Sequence, residues 1–156
     1  MSRYCALIKR SCDTDLFAEN KYSRAHSWSF DAGMTVAASS SPTVVPEPWS
    51  DVANVDPEEA FVASLSSCHM LWFPSITGGQ GFMVKSHTDN AEGVMAKNAS
   101  GKLAITQVTL NPEAVFEKAR SPSNTELADL HKAAHSKCFI ANSVNSNITI
   151  NPDFDE

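Results

Sequence analysis

The chain has 156 residues, 42% hydrophobic and 19% charged, which suits one globular domain, 1–156, with a core of its own. Its net charge of −6 argues against nucleic acid or an anionic membrane as partner and leaves a small molecule or another protein. No segment approaches the roughly 18 consecutive apolar residues of a spanning helix. The start, Met1 to Arg10, is charged and lacks an apolar stretch of signal-peptide length, so the expected location is the cytoplasm. In that reducing compartment Cys5, Cys12, Cys68 and Cys138 count as thiols rather than structural bridges.

Short extended runs come first: Tyr4 to Lys9, Ala25 to Phe30 and Met34 to Ala38, the last two separated by the turn residues Asp31-Ala32-Gly33. Prolines between Ser39 and Pro48 forbid helix and interior strand alike and predict a long loop. Asp56-Pro57-Glu58-Glu59 is a helix start, with Asp56 as cap, Pro57 in the first position and Glu59 completing a capping box. From Ala60 to Phe73 nearly every residue is apolar or small, which predicts a helix buried on almost all sides and ended or kinked by Pro74.

Three strand-like runs follow, Val84 to Asn90, Glu92 to Lys97 and Leu103 to Leu110, expected to form an antiparallel sheet. Pro112-Glu113-Ala114 reads as the opening of a short helix. Thr125-Glu126-Leu127 starts a second good helix reaching about Cys138, and a last strand runs from Ser143 to Ile150 before an acidic end. The fold class is therefore α+β.

Two cysteines stand out by context. Cys68 lies deep in the apolar helix, and Cys138 ends a helix carrying His131 and His135, whereas Cys5 falls in a first strand and Cys12 beside a charged loop. A buried cysteine taken alone is usually a small hydrophobe, so neighbouring motifs must decide. His131, His135 and Cys138 have a spacing compatible with zinc, but the helix around the two histidines is polar and solvent-facing histidines need no further explanation. No metal and no cofactor is expected. His69, beside Cys68 but about 100° away on a helix, reads as a satisfied core polar group.

The segment Asp56-Pro57-Glu58-Glu59-Ala60-Phe61 followed by Cys68-His69, with Ala134-His135-Ser136-Lys137-Cys138 and Asn142-Ser143 downstream, resembles the OsmC and Ohr family of organic hydroperoxide reductases. Tyr22-Ser23-Arg24-Ala25-His26-Ser27-Trp28, with Ser40-Ser41-Pro42 after it, fits the family's N-terminal sheet and its arginine. The resemblance implies an OsmC-like fold, antiparallel sheets around a long buried central helix, in an intertwined homodimer. It also implies a two-cysteine peroxidase with Cys68 as the attacking thiolate, Cys138 as the resolving thiol, Arg24 as the activating cation and Glu58 as its carboxylate partner.

Each implied role has a chemical reason. Burial raises a thiol's pKa, so Cys68 needs a cation, and an arginine fork serves both the sulfur and a departing alkoxide. Because Arg24's neighbourhood departs from better-known members, His26 and Trp28 stand beside it as candidates to share its work. The apolar surroundings of Cys68 suit a substrate with a hydrocarbon tail, and the resemblance suggests a lipoyl-type dithiol as reductant. Ten helical residues put Glu58 about 15 Å from Cys68 along the axis, so a site using both is expected to be built across the homodimer. The competing class is a binding or stress protein on the same fold with altered or no peroxidase activity.

Overall fold

The structure, a computed structural model, describes residues 1–12 and 15–153. Part of the charged loop beside Cys12, and the acidic end of the chain past Asp153, lie outside the described residues. The chain divides into two compact units, Met1–Ala60 and Phe61–Glu156.

In the first unit, β1 (Ala6–Lys9), β2 (His26–Phe30) and β3 (Thr35–Ala38) form an antiparallel sheet in sequence order. The β2–β3 connection turns at Gly33, whose φ of +87° is open to glycine and strained for other residues. The proline-punctuated segment is anchored through Ser39, which is fully buried. Its amide donates to the Val55 carbonyl at 3.0 Å, and its hydroxyl accepts from the Asp51 amide at 3.0 Å.

α1 (Pro57–Gly79) begins with the capping box read from the sequence: the Glu59 amide donates to the Asp56 carboxylate at 2.7 Å, and the Asp56 amide to the Glu59 carboxylate at 3.2 Å. Its length departs from expectation, since Pro74 lies inside and the helix runs five residues further. Proline removes one backbone bond and adds a clash. Burial of Phe73 and Thr77 on either side, with Ile76 packed on the same core, offsets that cost.

The expected burial of this helix is also corrected. Only Leu65, His69, Phe73 and Thr77 are buried, a single stripe at four-residue spacing, and Leu71 is 68% exposed. The other faces mix alanines and serines with larger apolar side chains, Leu71 among them, that the chain itself does not bury.

Within the second unit, β4 (Val84–Asp89) pairs antiparallel with β7 (Pro112–Phe116), and β5 (Glu92–Lys97) with β6 (Leu103–Leu110). β8 (Asn147–Ile150) lies parallel to β6. Two expectations fail here. The runs at Val84, Glu92 and Leu103 do not share one sheet, and Pro112-Glu113-Ala114 opens a strand. Proline is tolerated as the first residue of a strand, and from Pro112 to Phe116 burial alternates with period two, which decides for β. The two ladders are interrupted at Asn111, whose amide donates to Asp89 Oδ1 at 2.7 Å and whose side chain donates to the Asn90 carbonyl at 2.8 Å.

α2 (Asn124–Lys137) is capped by Ser123 and Glu126 and stops at Cys138, whose backbone is extended. One core joins α1, α2 and the β4–β7 pair through Phe73, Phe82, Leu127, Leu130 and Ala134. A second lies around Leu65, Val108 and Leu110. α1 approaches β5 closely at Gly93, where a Cβ would meet Val62 Cγ2 at 2.6 Å. Gly93→Ala is therefore expected to destabilise by about 1–3 kcal/mol, read as a lower urea midpoint at unchanged slope.

Candidate functional site

Cys68 and Cys138 come from distant parts of the sequence and meet in the second unit. Cys68 sits half-buried on α1, while Cys138, 1% exposed, follows the last turn of α2. Their side chains are near enough for each sulfur to feel the other. Burial, and next the neighbouring Cys68 side chain, push the Cys138 thiol up to about 11. Backbone N–H groups act in the opposite sense, with the Ala141 amide donating to Cys138 Sγ at 3.3 Å and the Ile140 amide also bonded to it. Cys138 is therefore a neutral thiol at ordinary pH, unsuited to first attack. Both sulfurs are free thiols, as are the exposed Cys5 and Cys12.

Cys68 opens on a cavity of about 500 Å³ lined by Ser64, Ser67, Leu71, Trp72, Ser75, Phe139 and Ile140. Trp72 and Phe139 meet edge to face with ring centroids 5.5 Å apart, and the Lys137 ammonium stands 5.4 Å from the Trp72 ring. Apolar walls with a few hydroxyls accept a hydrocarbon body beside Cys68.

Arg24 and Glu58 belong to the first unit and are not brought together as an ion pair among the described residues. Arg24 Nη1 donates to the carbonyls of Asn20 (2.8 Å) and Tyr22 (2.5 Å), and its guanidinium lies 3.6 Å from the centre of the Tyr22 ring. His26 and Trp28 act on its backbone. Trp28 Nε1 donates to His26 Nε2 at 2.8 Å, which leaves the proton on Nδ1 to donate to the Arg24 carbonyl at 2.8 Å. Glu58, half-buried in the first turn of α1, has no side-chain hydrogen bond among the described residues.

The sequence reading missed a cluster behind the thiols. His131 is not solvent-facing: it is 2% exposed, its Nδ1 lies 3.0 Å from Nε2 of His69, itself 1% exposed, and its ring stacks on Phe73 with centroids 4.1 Å apart. His69 is accordingly a core residue satisfied at one nitrogen alone; His69 Nδ1, His131 Nε2 and the nearby His87 Nε2 are buried without partners. Burial first, and then neighbouring histidines, lower His69 to about 4 and His131 to about 3. The four-residue stripe Leu65, His69, Phe73, Thr77 was the available signal for His69. Nothing local marked His131. Among the described residues no group of three His, Cys, Asp or Glu side chains is arranged to hold a metal ion. Nor, among them, is any helix long and apolar enough to cross a membrane.

Comparison with known proteins gives one family. The model of the OsmC-like protein family matches residues 50–153. An OsmC-like protein of unknown function from Vibrio cholerae is 48% identical, with a TM-score of 0.95 over 98% of this chain and 100% of that one. An organic hydroperoxide resistance protein from Elizabethkingia anophelis is 14% identical (TM-score 0.72, covering 99% and 98%). The organic hydroperoxide resistance protein OhrB of Bacillus subtilis is 15% identical (TM-score 0.66, covering 99% and 98%), and at these identities the likeness is one of fold. No curated protein matches the sequence. With a family model matching well over half its length and a near-complete structural match at 48% identity, the chain belongs to the OsmC-like protein family.

Proposed function

We propose that this protein is a thiol-dependent peroxidase that reduces organic hydroperoxides to alcohols. The observation that carries the reading is the proximity of a half-buried thiol lining an apolar cavity and a buried thiol that stays protonated. In this reading the Cys68 thiolate attacks the terminal peroxide oxygen, the O–O bond breaks, and the leaving alkoxide takes a proton to become the alcohol. Cys68 is left as a sulfenic acid. The Cys138 thiol condenses with it, releasing water and forming the Cys68–Cys138 disulfide. An external dithiol, of the lipoyl type that the family resemblance suggests, returns both sulfurs to thiols.

Arg24 is the proposed activating cation and Glu58 its proposed carboxylate partner. We place the working molecule in the cytoplasm as a homodimer, with Glu58 of one subunit serving Cys68 of the other. The exposed apolar residues Leu71 and Phe139 support a covered surface beside the cavity. Solved relatives named organic hydroperoxide resistance proteins share the fold and lend the substrate class. The engagement of Arg24 with backbone carbonyls and Tyr22, and its lack of an ion pair with Glu58, favour the second reading, an OsmC-fold binding or stress protein with altered or no peroxidase activity.

Consumption of cumene hydroperoxide and of hydrogen peroxide, each with a dithiol in excess, separates the two. The peroxidase reading expects kcat/KM at least about ten-fold higher for the organic substrate, since burying even part of its apolar body in the cavity amounts to more than 1.4 kcal/mol. No turnover of either would favour the second reading.

A further inference from the structure

We infer that the external dithiol attacks the Cys68 sulfur of the Cys68–Cys138 disulfide, and that Cys138 is the sulfur released, into a nest of backbone N–H groups. This rests on the peroxidase reading and adds to it the direction in which the cycle is reset.

Thiol–disulfide exchange proceeds in line: the attacking sulfur, the attacked sulfur and the leaving sulfur line up, so access to one side of the S–S bond decides which sulfur is taken. Cys68 lines the cavity, with Leu71, Trp72 and Phe139 around it. Cys138 is 1% exposed and is not part of that lining. A nucleophile entering through the cavity therefore meets Cys68 first, with Cys138 behind it. Attack on Cys138 would require another approach, to a sulfur that the protein covers almost completely.

The surroundings of the leaving sulfur fit the same direction. Displacement puts an electron pair on Cys138 Sγ, where the Ala141 N–H points at 3.3 Å and the Ile140 N–H is also bonded. These two donors oppose the burial that otherwise disfavours a thiolate there, and they hold the charge until a proton arrives.

The balance is complete with a dithiol as the one co-reactant. Its first thiolate bonds to Cys68 Sγ as the Cys68–Cys138 bond breaks and Cys138 leaves with the electron pair. Its second thiolate then attacks its own sulfur in the mixed disulfide, and Cys68 leaves as thiolate. The dithiol departs as its disulfide, two electrons having passed to the protein. Hydroperoxide and reductant use one opening in turn, so they exclude each other from it.

The test uses the full chain carrying Cys5→Ser and Cys12→Ser, two exposed positions outside the site. It is oxidised with one equivalent of cumene hydroperoxide, treated briefly with the monothiol 2-mercaptoethanol, quenched with acid and N-ethylmaleimide, and mapped by peptide mass spectrometry. The expected result is mercaptoethanol on Cys68 and N-ethylmaleimide on Cys138, in excess over the reverse pattern by more than about ten-fold. Equal labelling, or mercaptoethanol chiefly on Cys138, would overturn the inference while leaving the peroxidase reading standing. Failure of the Cys68–Cys138 disulfide to form in the oxidation step would overturn both.

Discussion

Cys68→Ser is expected to bring dithiol-dependent hydroperoxide consumption down to the uncatalysed background, while Cys138→Ser leaves the first chemical step intact. The asymmetry comes from where the two sulfurs sit. Cys68 faces the cavity, so its loss removes the nucleophile itself. Cys138 is buried and held protonated by its surroundings, so its loss removes only the group that condenses with the sulfenic acid. In Cys138→Ser, one equivalent of hydroperoxide should still be consumed, and a sulfenic-acid probe should label Cys68. Further oxidant should drive that sulfur to the sulfinic acid, and steady turnover should fall several-fold or more. Stopped-flow consumption and intact-mass measurement check both variants. Full activity in Cys68→Ser would end the account, and a first turnover kept in Cys68→Ser but lost in Cys138→Ser would exchange the two roles.

The largest expected effect on stability is acid loss caused by the buried histidine pair. His69 and His131 have folded pKa values near 4 and 3 against an ordinary 6.5. Between those limits the unfolded chain binds protons that the folded chain refuses, so stability is full above about pH 6.5 and declines as pH falls toward the folded values. Each histidine contributes a slope of up to about 1.4 kcal/mol per pH unit in that window. With both acting, unfolding free energy should be roughly 2–4 kcal/mol lower at pH 5 than at pH 7. Urea denaturation at the two pH values measures it. His131→Gln, which keeps a hydrogen-bonding group beside His69 and cannot titrate, should remove about half of the difference. A pH-independent midpoint, or an unchanged difference in the variant, would show that the pair does not remain neutral in the folded protein.

Features set by neighbours in sequence were legible. The capping box of Asp56 and Glu59 was readable because both partners lie within one turn, and the Cys68 and Cys138 segments carried the family resemblance in their own residues. Features set by distant partners were not. Pairing of β4 with β7 rather than with β5, and the parallel placement of β8 on β6, depend on which edges meet in three dimensions, and strand composition does not encode that. Pro112 misled because the same residue opens helices and strands, and only the alternation after it distinguishes them.

His131 misled for a related reason. Lys132 and Ser136 make the helix look solvent-facing, whereas the packing of α2 on α1 turns His131 inward onto His69 and Phe73. In the candidate site, the pairing of the two thiols was implied by resemblance, and the structure adds their proximity and the cavity at Cys68. The backbone amides at Cys138 were beyond sequence reading, because they arise from the one-turn helix at Ala141–Ser143 following the end of α2.

The most direct test of the central claim is to treat the reduced wild-type protein with one equivalent of cumene hydroperoxide and map its cysteines by mass spectrometry. The account predicts loss of two thiols per chain and a single Cys68–Cys138 disulfide, with Cys5 and Cys12 still free. An untouched Cys68, or oxidation that leaves Cys138 as a free thiol, would contradict it.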